Sequence, residues 1–230
     1  MKQPRNALGS NKPLGRIRPA RPPRILLTGF GPFPGVPINP TQRIMAAAAS
    51  RLARMPGHGV VATEILPTEW GMLARLPTLL ARHRPDVVVM TGVAVRARSA
   101  RFERTAHARA ETGLADALGA KLKRKLGLYA HRAARHTEVD VDRLRTALSR
   151  ANLRNVAQSD DPGAYLCNAA YLTALDWSRT QAPRPPVVFI HVPEPGLRPG
   201  AREHDLVELV ARTAATLAHE PLRRGAVRPI

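Results

Sequence analysis

Three short apolar runs restrict this chain to a sheet covered on both faces. They are Arg24-Ile-Leu-Leu-Thr28 closed by Gly29, Asp86-Val-Val-Val-Met-Thr91 closed by Gly92, and Val187-Val-Phe-Ile-His-Val192 closed by Pro193. Runs apolar at successive positions suit strands buried on both sides, as in parallel sheets. Stretches of helical period lie between and after them. Thr41 caps a predicted helix running to about Arg54, and Glu69 to His83 is helical in period despite Pro77. Asp140 to Ala151, Tyr165 to Arg179 and Glu203 to His219 repeat apolar residues on one helical face. Val60 to Leu66 and the shorter Asn155 to Gln158 add two strands, and the Ala/Leu/Lys/Arg-rich 113–135 reads as helix. The expectation is an α/β fold: a single three-layer α/β/α sandwich around a mostly parallel mixed sheet.

Composition narrows the chemistry. The 230 residues suit one domain with one core. No apolar run approaches the ~20 residues that a spanning helix needs, so no membrane partner is expected. A single cysteine excludes an internal disulfide and any multi-cysteine metal site. Aromatic residues are 4 % of the chain, thin for a module that stacks bases.

The formal charge of +19 is concentrated in two places. Residues 1–24 hold seven basic residues and no acid, and residues 95–135 hold eleven basic residues against Glu103, Glu111 and Asp116. Both stretches could serve as solvated surface or attract an anionic partner, nucleic acid included. Residues 1–23 are expected to be a disordered basic Pro/Arg-rich arm without the apolar core of a secretory signal. Residues 24–219 form the expected domain and 220–230 a flexible tail.

In open α/β sheets ligands gather at the carboxyl ends of the strands, and three segments there carry chemistry. Thr28-Gly-Phe-Gly-Pro-Phe-Pro-Gly35 is no phosphate loop, because Phe30 and Phe33 stand where bare backbone would be needed. Its two rings either flank a small flat ligand or cap the core. Cys167 lies in the first turn of a helix, where the dipole favours thiolate and free N–H groups could receive an oxyanion. Taken alone it also reads as a buried structural cysteine. His191 ends an apolar strand and serves either as a base or as a satisfied core histidine. Glu103 is a candidate to orient that imidazole, and otherwise an ion-pair partner of Arg104 or Arg101.

Together the segments resemble the pyroglutamyl-peptidase I (pyrrolidone-carboxylate peptidase) family of cysteine peptidases. The likeness is carried by residues 28–35 with Ile38-Asn-Pro-Thr41, by Phe102-Glu-Arg-Thr-Ala106, by Tyr165-Leu-Cys-Asn168 and by Phe189-Ile-His-Val-Pro193, in family order over residues 24–218. It implies Cys167 as nucleophile, His191 as base then acid, and Glu103 as the residue holding His191. It further implies Phe30 and Phe33 lining a lactam pocket. The implied substrate is a small peptide with N-terminal pyroglutamate, cleaved without metal or cofactor by a cytoplasmic homo-oligomer, commonly a tetramer.

Two departures mark the chain as divergent. Where the family has Gly-Gly-Arg after the third strand, this chain has Gly92-Val-Ala-Val-Arg-Ala-Arg98: the two glycines are gone and the arginine aligns near Ala97, leaving Arg96 and Arg98 on either side as candidates to replace it. Its Asp-Asn-rich loop gives way to Thr105–Glu111 and a basic stretch. The alternative expectation is therefore a catalytically silent relative that binds an anionic partner through its basic segments.

Overall fold

The computed structural model describes residues 21–110, 113–122, 133–196 and 202–219. The expected arm at 1–23 and tail at 220–230 fall almost wholly outside them. In chain order the elements are β1 (Arg24–Phe30), α1 (Thr41–Leu52), β2 (Val60–Leu66), α2 (Met72–His83), β3 (Val87–Val93), β4 (Ala100–Glu103), β5 (Thr105–Ala106), β6 (Arg135–His136), α3 (Val141–Ser149), β7 (Val156–Ser159), α4 (Leu166–Arg179), β8 (Val187–Val192) and α5 (Glu203–His219).

Six strands form one sheet in the order β2-β1-β3-β8-β4-β7. The first four run parallel; β4 is antiparallel to β8 and parallel to β7. A mostly parallel mixed sheet is thus present, with helices on both sides. Alternation along each strand divides the core in two. Ile25, Leu27, Val87, Val89, Phe102, Val188 and Ile190 face α1, α3 and α5. Leu26, Val88, Met90, Val187 and Phe189 face α2 and α4. Because α4 is covered nearly all round, eleven of its fourteen residues are buried.

Pro77 sits inside α2 without ending it. Its ring is exposed, and it has no N–H to offer the carbonyl of Leu73 four residues earlier. Thr41 is the first residue of α1 rather than its cap. Its hydroxyl is used elsewhere: it accepts from the Phe30 amide at 3.0 Å and donates to Asn39 Oδ1 at 2.8 Å. Gly29 permits this approach, since a Cβ there would lie 3.0 Å from Thr41 Oγ1 and 3.1 Å from the Thr41 carbonyl oxygen.

The helix expected over 113–135 is absent from its described parts. Asp116, 2 % exposed, accepts from the amides of Leu118 and Ala120 at 2.9 Å each and from that of Trp70 at 3.0 Å. A short acid that captures nearby amides offers the backbone a turn in place of a helix. Gly119, at φ +77°, completes that turn. Residues 133–136 lead into and form β6, paired with β5, while 123–132 lie outside the described residues.

The basic stretch at 95–135 is less open than its composition implies. Arg101 pairs with Glu103, Arg104 with Asp160, Arg109 with Asp161 and Arg135 with Asp176. Glu103 from β4 itself, and acids from the β7–α4 loop and α4, thus engage it. Among the described residues no helix is long and apolar enough to cross a membrane.

Candidate active site

Strand parity assembles the site. On β8, Phe189 and His191 alternate with Ile190, so both point away from the α1/α3/α5 core and towards α4. Arg101 lies opposite His191 across the antiparallel pair, and Glu103 lies opposite Phe189, so both share that face. Gly92 lies opposite His191 on the other side, in β3. Five residues from three strands therefore meet beneath the first turn of α4, which carries Cys167.

His191 Nδ1 and Glu103 Oε1 are 2.6 Å apart, with both residues buried. Arg101 Nε donates to the same oxygen at 2.7 Å. The other carboxylate oxygen is buried without a hydrogen bond. Ser159 lies opposite Glu103 on β7, and its hydroxyl is turned to the Asp161 carbonyl at 3.2 Å. Burial alone would raise the Glu103 carboxyl. The bond and charge of His191, with the hydrogen bond from Arg101, outweigh it and hold the group below its ordinary value. Glu103 is thus a carboxylate, and Nδ1 of His191 carries the hydrogen between them. That leaves Nε2 as the proton-accepting nitrogen. Of the two arginines considered as ion-pair partners, Arg101 engages Glu103, whereas Arg104 turns to Asp160.

Cys167 stands over Gly92. A Cβ on residue 92 would be 2.8 Å from Cys167 Sγ and 2.8 Å from the Phe189 ring. Only hydrogen at that position leaves room for the sulfur beside the strand residue that pairs with His191. The amides of Leu166, Cys167 and Asn168 open α4, where N–H groups have no acceptor within the helix. Helix position alone predicts a thiol lowered towards thiolate. The structure reverses this: burial, then the Glu103 carboxylate, push the Cys167 thiol up to about 12, and its own amide and Arg101 offset them only in part. Although the residue is partly exposed, its sulfur is packed densely enough for desolvation to dominate. At neutral pH the resting group is a thiol.

An aromatic wall adjoins these residues. Phe30 is 2 % exposed, with its ring 6.5 Å from that of Phe189. Phe33 is half-buried and meets Tyr165 at 6.1 Å, and Tyr165 meets Trp70 edge-on at 5.5 Å. Asn39 and Thr68 both donate to the Gly31 carbonyl at 2.9 Å, fixing the turn between the two phenylalanines. Asn168 is fully buried; it accepts from the His107 amide at 2.7 Å and donates to the carbonyls of His107 and Arg109 at 2.8 Å each. Among the described residues, no group of three or more His, Cys, Asp or Glu is gathered as a metal would require.

The profile of the family described as "Pyroglutamyl peptidase" matches residues 23–197. The chain belongs to the pyroglutamyl peptidase family. It is 30 % identical to the pyrrolidone-carboxylate peptidase of Thermococcus kodakarensis over 170 residues, covering 74 % of this chain and 81 % of that one. A second pyrrolidone-carboxylate peptidase, from Gloeobacter violaceus, is 49 % identical over a shorter 73 residues, or 31 % of this chain and 34 % of the relative. In fold it resembles the crystal structure of pyroglutamyl peptidase I from Bacillus amyloliquefaciens, with a TM-score of 0.73 at 24 % identity over 86 % of this chain and 98 % of that one. A mutant pyrrolidone carboxyl peptidase from Pyrococcus furiosus gives 0.74 at 26 % identity, covering 86 % and 99 %.

In this pyroglutamyl peptidase family member Gly92 is the glycine beneath Cys167, and the turn that follows carries two arginines. Arg96 and Arg98 are both exposed on the turn before β4 and have no contact with Glu103. Arg101, inside β4, is the arginine that reaches the carboxylate. Sequence reasoning missed β4 because two of its four residues are charged. It also passed over Asp116 and Gly92 as site-shaping residues. The Asp-x-x-Gly turn at 116–119 and the glycine closing an apolar run were the available signals.

Proposed function

We propose that this chain is a cysteine exopeptidase that removes N-terminal pyroglutamyl residues from peptides. The observation carrying this reading is the 2.6 Å bond between His191 and Glu103 on the face where Cys167 stands over Gly92. His191 Nε2 takes the Cys167 proton as Sγ attacks the pyroglutamyl carbonyl carbon. General-base removal during attack suits a thiol that is protonated at rest. The negative charge moves to the carbonyl oxygen, which accepts hydrogen bonds from the amides opening α4. Glu103 holds the ring and stabilises the imidazolium. The C–N bond then breaks, and the imidazolium proton goes to the departing amine. Water, deprotonated by His191, attacks the thioester; pyroglutamate leaves and the thiol reforms. Phe33 forms a wall of the lactam pocket and Phe30 its floor.

The reading includes a cytoplasmic homo-oligomer, supported by family resemblance and testable by light scattering of purified protein. A silent relative that binds an anionic partner is not favoured. The nucleophile, base and carboxylate are all retained, and Arg101, Arg104, Arg109 and Arg135 are engaged by acids of the same chain.

The deciding experiment is release of aminomethylcoumarin from its pyroglutamyl amide, with the alanyl and prolyl amides as controls. Wild type should cleave the first only, and Cys167→Ala should lose about 1,000-fold or more. Equal turnover by that variant would remove Cys167 from the chemistry.

A further inference from the structure

Glu103 receives two donors on one oxygen. Oε1 accepts from His191 Nδ1 at 2.6 Å and from Arg101 Nε at 2.7 Å, while Oε2 accepts from none. A carboxylate serving only to orient an imidazole would need no cation on the oxygen it uses. The pairing is fixed by the fold, since Arg101 is directly opposite His191 in the β4–β8 register and two residues from Glu103 on the same strand face. Glu103 is fully buried, whereas the Arg101 side chain is 30 % exposed. The guanidinium thus closes the carboxylate off from solvent while keeping part of its own hydration.

The charges at the sulfur supply the other half of the argument. Glu103 opposes ionisation of Cys167, and Arg101 favours it. Within this site Glu103 has two conflicting effects: it stabilises an imidazolium and repels the thiolate formed beside it. A cation on the carboxylate offsets the repulsion and leaves the His191 bond in place. No other described cation does this. Arg104 is committed to Asp160, and Arg96 and Arg98 are exposed on the preceding turn.

We propose that Arg101 is a positioning residue of this enzyme, holding Glu103 by Oε1 and neutralising it so that the Cys167 thiolate can form as the sulfur attacks. The inference rests on the peptidase reading, but it has a consequence that needs no substrate. Removing the guanidinium charge should slow ionisation of Cys167 and therefore its alkylation.

The test compares wild type with Arg101→Gln, Arg101→Met and Arg101→Lys, each checked for native circular dichroism. Iodoacetamide is reacted with the lone thiol at one mildly alkaline pH. Separately, kcat and KM are measured on pyroglutamyl-aminomethylcoumarin. The neutral variants should be alkylated several-fold more slowly, and their kcat should fall about tenfold while KM stays within about twofold. Arg101→Lys keeps the charge and should recover most of both losses. If one neutral variant fails to fold, the other carries the comparison, because the partly exposed position leaves room for an unbranched apolar chain. Alkylation unchanged in a folded neutral variant overturns the proposal, whatever its turnover. A raised KM with native kcat overturns it too, by making Arg101 a substrate contact. Should wild type not cleave the pyroglutamyl amide, the peptidase reading fails, and alkylation still decides the role of Arg101.

Discussion

His191 and Glu103, 88 residues apart, are joined Nδ1 to Oε1 across the one antiparallel strand pair of the six-stranded sheet. The bond fixes which nitrogen of the ring is free for proton transfer. Glu103→Gln keeps the volume and removes the charge, and its amide can present N–H to the ring. The expected loss in kcat/KM on the pyroglutamyl amide is about 100-fold or more, with KM little changed. A loss under about threefold would remove Glu103 from its orienting role.

Gly92→Ala tests the clearance beneath the sulfur. The new methyl would meet Cys167 Sγ and the Phe189 ring at 2.8 Å, and Phe189 is fully buried. Overpacking of this kind costs about 1–3 kcal/mol, readable as a lower urea midpoint. Activity should fall well beyond that loss of stability, because the displaced atom is the proposed nucleophile. A variant with native turnover would show that the sulfur has room the structure denies it.

Asn39→Ala tests the turn that carries Phe33. Asn39 is buried; it donates to the Gly31 carbonyl and accepts from the Thr41 amide and hydroxyl. Removing it leaves buried groups unpaired, at a cost of about 1–3 kcal/mol. With Phe33 less firmly placed, KM should rise more than kcat falls. The opposite split, measured on the same substrate, would place Asn39 nearer the chemistry than the pocket.

How much of this was legible in the residues varies from element to element. Glu203 to His219 is helical at both predicted ends, because its apolar stripe is uninterrupted by competing turn chemistry. Val187–Val192 is likewise a strand at both predicted ends. The helix expected at 113–135 failed where Asp116 gathers three amides, a partner set drawn partly from Trp70, 46 residues away. Cys167, His191 and Glu103 could be singled out by residue type and position. The Arg101 contact could not, since it depends on β4 pairing antiparallel with β8. The thiol's upward shift was equally hidden, because helix position is local and burial is not.

Acid should unfold the chain through its carboxylates. Burial would raise Glu103 and Glu208, but His191 at the first and Arg51 and Arg212 at the second hold both low; Asp160 and Asp161 are lowered by Arg104 and Arg109. Each group therefore takes up its proton at lower pH in the folded than in the unfolded chain. The resulting stability is fully present above the unfolded values, about pH 4, and is lost as pH falls through the folded ones. The urea midpoint should be nearly level from neutral pH to about 5 and then decline. Glu208→Gln should start lower and decline less steeply. An equally steep decline in that variant would exclude Glu208 as a contributor.

The position of β4 has a consequence for how the enzyme comes into being. Its four residues slot between β7 and β8, so their partners are among the last third of the chain to be synthesised. A nascent chain that ends before residue 191 has Cys167 and Glu103 but lacks His191, the proposed acceptor of the proton. Proteolytic capability is therefore withheld until the sheet is complete, and recovery of turnover during refolding would time the closing of that last gap.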